Sequence, residues 1–240
     1  MILIISPYDK STKRLGRIAS FLHRHLPNNK LFIVRPNEKS KLECHKLIWN
    51  CKESDLIIFL GHARSDALYG AKGKYYKNPF APNPNEDSNP EDYEYYDENF
   101  IDSSSFHLLK GKKMICYGCK TKKLAEHLYR SGALVIYGFG VIPTSMEEFK
   151  IFHEPQVSNL LISYMKGSIT RILKRGICLS LSNPKNSFAD LYKILEFEFQ
   201  REIEYALTSN FRLKFNLVNV LHIVKREMGV IGDISCKLLR

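Results

Sequence analysis

This chain predicts an α/β domain, three layers deep around a central, mainly parallel sheet of about five or six strands. Three observations carry that prediction. Short uninterrupted apolar runs recur at 2–5, 31–34, 56–60, 114–117 and 133–137. Segments with helical apolar spacing separate them, and a continuous run between helices is the pattern of a strand covered on both faces. The apolar share of 44% allows a substantial core.

The elements follow in chain order. After the first strand, 11–26 reads as a helix, with Ser11 as N-cap and Leu15, Ile18, Ala19, Leu22 and Leu26 on one face. A second helix at 42–51 carries Leu42, His45, Leu47, Ile48 and Cys51 near one side. The strand at 56–60 ends in Gly61-His62, and regularity is then lost until 114. The strand at 114–117 leads through Gly118-Cys119 into a helix at 121–131, and Ser131-Gly132 closes it before the strand at 133–137. A helix at 155–174 has a weak point at Gly167, and Asn183-Pro184-Lys185-Asn186 breaks the chain. Two long helices, 188–207 and 211–228, precede a final strand or tail at 230–238. The natural division is a core domain of residues 1–182 and a mainly helical extension of 183–240.

Composition narrows the function. No apolar run approaches the roughly 18 residues a membrane helix needs. The N-terminus lacks the basic start and apolar stretch of a secretory signal, so cytoplasmic residence is expected, with no membrane partner. Cys44, Cys51, Cys178 and Cys236 are scattered, as reduced thiols in such a compartment would be. The net charge of +11 is spread over most helices without a basic stripe interleaved with aromatics, which argues against nucleic acid. An acidic partner or a small anionic ligand fits the same charge.

The chemistry concentrates at two strand ends. His62 and Cys119 each stand where the chain leaves the sheet, and a thiol beside an imidazole is the minimal apparatus of cysteine nucleophilic catalysis. A thiol attacks as thiolate, and the start of a helix, with Lys120, Lys122 and Lys123 close by, favours an anion. His62 would serve as base and then as acid. The backbone N–H groups of Ala63 and Cys119 are candidates to hold the oxyanion. Each residue alone has a plainer reading: His62 as a strand cap, Cys119 as a small buried side chain. Cys116-Tyr117-Gly118-Cys119 also matches the spacing of a redox pair, although Cys116 falls inside the strand. Zinc lacks a second spaced pair, since Cys44 and His45 are adjacent; no metal or cofactor is expected.

The segment 71–100 is rich in Tyr, Pro, Asn and acid, and it sprouts directly behind His62. A structureless stretch of that length is either a surface insertion or a functional lid. Glu91 and Asp92 within it, with Asp66 and Tyr117 nearer the candidate dyad, are the expected substrate contacts. The cationic residues Arg171, Lys174, Arg175, Arg201, Arg212, Lys214, Lys225 and Arg226 could receive the phosphates of a signal nucleotide, or simply form solvated helix faces.

The residues Phe59-Leu-Gly-His62, Cys116-Tyr-Gly-Cys-Lys-Thr121 and Leu124-Ala-Glu-His-Leu-Tyr-Arg-Ser-Gly-Ala133 resemble the bacterial CHAT branch of the caspase-like (clan CD) cysteine peptidases. That group has a strand ending in His-Gly, a strand ending in Ala-Cys followed by Glu-Thr, and a helix closing in Gly-Ala. The stretch 163–175 is similar to its later helix, so the likeness spans roughly 1–182. It implies a caspase-hemoglobinase fold with His62 and Cys119 as the dyad. It also implies cleavage of a partner protein after a protein or small-molecule signal, in an antiviral or cell-death pathway. Three positions depart from the pattern. Ala63 replaces a glycine that lets backbone approach the oxyanion. Lys120 replaces an acid, and the Gln-Ala-Cys-Arg-Gly run of eukaryotic caspases is absent, so cleavage after aspartate is not implied. The alternative is a catalytically silent binding module, or an effector that senses a signal nucleotide.

Overall fold

The computed structural model describes residues 1–8, 13–71, 99–143, 149 and 158–239. The apolar runs form strands β1 (Ile2–Pro7), β2 (Asn29–Val34), β3 (Leu56–Leu60), β6 (Lys113–Tyr117) and β7 (Val135–Gly138). The helices between them are α1 (Lys13–His25), α2 (Glu38–Asn50) and α3 (Thr121–Arg130). The six-stranded sheet has the order β2-β1-β3-β6-β7-β8, where β8 is Gly229–Gly232. The first five strands in that order are parallel, and β8 runs antiparallel against β7. This is the mostly parallel, three-layer α/β architecture that the apolar runs predict.

Strand alternation sorts the core into two layers. Ile4, Ile58, Leu60, Ile115, Tyr117 and Tyr137 face α1 and the C-terminal helices α4 (Asn159–Ser182), α5 (Phe188–Thr208) and α6 (Lys214–Glu227). Leu3, Ile57, Phe59, Met114, Cys116 and Ile136 face α2, α3 and the 3₁₀ turn Phe106–Leu109. Burial on both faces is why these strands read as unbroken apolar runs.

Several boundaries differ from those expected, for local reasons. Helix α2 starts four residues before 42, because Asn37 caps it by accepting the Ser40 N–H at 2.8 Å. Helix α4 passes through Gly167 and continues to Ser182, since Met165, Ile169, Ile172 and Ile177 are buried along it. That burial outweighs the roughly 1 kcal/mol a helical glycine costs. Residues 155–157, the expected start of this helix, lie outside the described part. Ser187 and Asp190 form a capping box at the start of α5. Two short strands, β4 (Leu68–Tyr69) and β5 (Asn99–Ile101), pair antiparallel at the two ends of the 71–100 segment.

Residues beyond 182 share the core rather than standing apart from it. Leu191, Leu195 and Phe199 of α5 pack in the same cluster as Ile4 and Leu60. The 230–238 stretch is both strand and tail: β8 joins the sheet, and the buried Lys113 ammonium donates to the carbonyls of Lys237 at 2.9 Å and Leu238 at 3.1 Å. Among the described residues no helix is long and apolar enough to cross a membrane.

Candidate active site

In a parallel α/β sheet the strands deliver their C-terminal ends to one edge, where ligands and reactive groups usually gather. Strand β3 runs parallel to β6 with Leu60 opposite Tyr117, and the Gly61 N–H donates to the Tyr117 carbonyl at 3.1 Å. From that rung the chain advances through Gly61 to His62 and through Gly118 to Cys119. The two residues stand at equal distance beyond one rung of neighbouring strands. Leu60 and Tyr117 both face α1, and Cys119 packs against the same layer. Ala63 packs in the opposite layer, as alternation from Leu60 requires if His62 lies on the α1 side. His62 and Cys119 are both half-buried.

Close backbone approach holds the two strand ends together. A Cβ on Gly118 would lie 2.7 Å from the Gly61 carbonyl oxygen and 3.0 Å from the Ala63 methyl, so only glycine fits. Past Cys119 the chain turns sharply, with Lys120 left-handed at φ 59° as the N-cap of α3. A non-glycine residue there stores about 1–3 kcal/mol of strain, and such tight strand-to-helix turns lift a nucleophile clear of the sheet. Thr121 anchors the turn. Its buried hydroxyl lies 2.9 Å from the Cys116 carbonyl and 3.0 Å from that of Gly118, and it accepts the Phe139 N–H at 2.8 Å.

The start of α3 offers less to an anion than its position suggests. The Lys120 N–H donates to the Gly140 carbonyl at 2.7 Å, and the Lys122 N–H donates to the Phe139 carbonyl at 2.8 Å. The Cys119 thiol donates to the Ile142 carbonyl at 3.3 Å, an interaction that favours its neutral form. Arg14, in the first turn of α1, sits beside the Tyr117 hydroxyl. Burial draws its guanidinium below the usual arginine range, with Tyr117 opposing, and its Nη1 has no hydrogen-bond partner among the described residues.

The other sequence-based candidates fall in different places. Ala63 bridges Leu68 in a tight reversal in which Tyr69 N–H donates to the His62 carbonyl (3.0 Å) and Arg64 N–H to that of Ala67 (2.9 Å). This bridge leaves the Ala63 N–H and C=O pointing away from Leu68. Its methyl is turned into the layer opposite Cys119, so the alanine does not crowd the thiol's face of the sheet. Asp66 is exposed on the reversal and pairs with Arg64 at 3.4 Å. Tyr117 is 3% exposed, edge-on to Phe139, so it supports the site from behind. Glu91 and Asp92 lie outside the described residues.

Cys116 and Cys119 fall in opposite layers of the sheet, Cys116 fully buried with its thiol pushed up by burial. That arrangement disfavours the redox-pair reading, because a disulfide needs Cβ atoms about 3.8 Å apart and facing one another. Among the described residues no group of three or more His, Cys, Asp or Glu could hold a metal ion. Of the cations considered for a nucleotide, Arg171 pairs with the buried Glu202 and Arg201 with the buried Glu198. Arg14, the anchoring role of Thr121 and the left-handed Lys120 come from the structure alone. No periodicity marks them, although a threonine two residues beyond a strand-end cysteine was visible.

No protein-family model matches the chain, and no curated protein sequence does. A solved structure from Staphylococcus aureus, provisionally assigned as a phosphofructokinase, is similar over 97% of this chain and 100% of its own. The identity is 10% and the TM-score 0.32, a superposition too loose to bear on fold or function.

Proposed function

We propose that this chain is a caspase-like cysteine endopeptidase of the CHAT type. In this reading it cleaves a partner protein in the cytoplasm, in a bacterial defence or cell-death pathway, once a protein or small-molecule signal releases it. The observation that carries this reading is the equal offset of His62 and Cys119 from the Leu60–Tyr117 rung of adjacent parallel strands. His62 takes the Cys119 proton, and the thiolate adds to the scissile carbonyl carbon as the carbonyl π pair moves onto oxygen. The Ala63 and Cys119 N–H groups receive that oxyanion, while the half-buried Arg14 lies beside Tyr117, the residue at the end of the strand that bears Cys119. The tetrahedral adduct collapses, the C–N bond breaks, and imidazolium gives its proton to the leaving amine. Water, deprotonated by His62, then splits the thioester and restores the thiol.

A second reading, a silent binding module, draws on the Cys119 thiol donating to the Ile142 carbonyl, which holds sulfur in its unreactive form. Co-expression with the proteins of neighbouring genes separates the two. Cleavage of one of them should vanish in C119A and H62A and persist in C116A. Cleavage that survives C119A would end the peptidase reading.

A further inference from the structure

The hydrogen bond that the Cys119 thiol donates ends on a segment whose other side is held by the end of α6. Ile142 supplies the carbonyl that the thiol reaches, at 3.3 Å. Its neighbour Val141 donates its N–H to a Glu227 carboxylate oxygen at 2.9 Å. Gly140, one residue further back, accepts the Lys120 N–H at 2.7 Å. A methyl on Gly140 would overlap the Glu227 carboxylate, so the contact is close-packed as well as hydrogen-bonded. Three successive residues are thus clamped between the end of α6 on one side and Cys119-Lys120 on the other.

We infer that Glu227 is a positioning residue that fixes the 140–142 segment and thereby holds Cys119 in a latent, protonated state; the end of α6 is the control point. The inference rests on Cys119 being the reactive thiol of the proposed function. A carbonyl can accept from S–H but offers nothing to S⁻, so seating Ile142 beside the sulfur raises the thiol's pKa. Displacing Glu227 unseats the segment and removes that bias. The elements that meet here carry Lys120, Lys122 and Lys123 at the start of α3, Arg14 on α1, His62 after β3, and Lys225, Arg226 and Glu227 at the end of α6. The cations among these favour thiolate. Glu227 opposes it both by charge and by position, and two substitutions separate these effects.

The test is the alkylation rate of Cys119 by iodoacetamide across pH, read by peptide mass in the intact chain. E227A removes charge and acceptor together, whereas E227Q removes the charge and keeps an acceptor for the Val141 N–H. At pH 7, E227A should react roughly tenfold faster than the unaltered chain, with the pH midpoint about one unit lower. E227Q should stay within about twofold. Equal rates for E227A and the unaltered chain would overturn the inference, and so would equal acceleration by E227Q and E227A, which would make the effect one of charge alone. G140A, which pushes the same contact apart from the other side, should accelerate alkylation as E227A does. If both variants misfold, hydrogen exchange in the unaltered chain decides: the Val141 amide should be protected, and an unprotected amide sinks the inference. Alkylation needs no peptide cleavage. Cleavage surviving C119A would therefore remove the peptidase reading while leaving this result standing, and the reverse outcome would remove only the control point.

Discussion

The Phe139 amide donates to the Thr121 hydroxyl at 2.8 Å, so the exit of β7 and the first residue of α3 meet at one side-chain oxygen. That oxygen also lies within hydrogen-bond reach of the Cys116 and Gly118 carbonyls, at 2.9 and 3.0 Å. The turn presenting Cys119 is thus pinned before and after the cysteine. Thr121→Val keeps the shape and deletes the hydroxyl, leaving a buried amide without its acceptor. It should cost about 1–3 kcal/mol in urea unfolding. Thr121→Ser retains the oxygen and should cost less. A loss for valine no larger than for serine would show that the hydroxyl is not what holds the turn.

Thiols raised by burial make stability fall in alkali, Cys44, Cys51 and Cys116 foremost and half-buried Cys178 with them. Cys44 and Cys116 are fully buried, and burial pushes both thiols up, Cys44 further so because of Cys51. Burial, with Asp55 adding to it and Lys112 opposing, pushes the Cys51 thiol up to about 11 from an ordinary 9.0. An acid whose folded pKa is raised keeps its proton in the native state after the unfolded chain has lost it. The unfolded state then binds fewer protons, and the slope of unfolding free energy against pH is negative. The urea midpoint should therefore hold below about pH 8.5 and drop progressively above it, with the Cys51 share complete near pH 11. C51A should be less stable at neutral pH yet show a shallower decline. An unchanged slope in C51A would remove Cys51 from this account.

What was legible in the sequence was whatever depended on period. Runs such as Leu56–Leu60 read as buried strands because they are apolar on both faces, too short for a helix and contain β-branched isoleucines. The strand ends carrying His62 and Cys119 followed directly, and the sheet order makes those strands neighbours. Long-range polar contacts were not legible. The Arg14–Tyr117 proximity joins residues more than a hundred positions apart, and Glu227 reaches Val141 across 86. Nothing local to either partner encodes such a meeting. The share of 183–240 in the main core was hidden for a related reason: α5 and α6 look like an independent helical pair until β8 is seen to add to β7.

The glycines differ in how far the surrounding space permits a side chain, and Gly16 and Gly118 stand at opposite ends of that range. Gly16, inside α1, has no atom within 4 Å of the position a Cβ would take. Gly16→Ala should stabilise the chain by roughly 0.5–1 kcal/mol, because the unfolded glycine has more freedom to lose. At Gly118 the added carbon would meet the Gly61 carbonyl oxygen at 2.7 Å and the Ala63 methyl at 3.0 Å. Neither is the end of a flexible side chain, so the β3 and β6 ends must separate. Gly118→Ala should cost about 1–3 kcal/mol of stability. Under the proposed function, proton transfer between His62 and Cys119 should suffer beyond that loss, because the substitution widens the gap between the strands that bear them. A displacement near 1 Å costs a reaction on the order of a hundredfold. Single-turnover cleavage of the identified partner, measured well below the unfolding transition, reads this out. Gly16→Ala should leave the rate unchanged, whereas Gly118→Ala should lower it while the protein stays folded. Full activity in folded Gly118→Ala would mean that the spacing of these two strand ends does not set the reacting geometry.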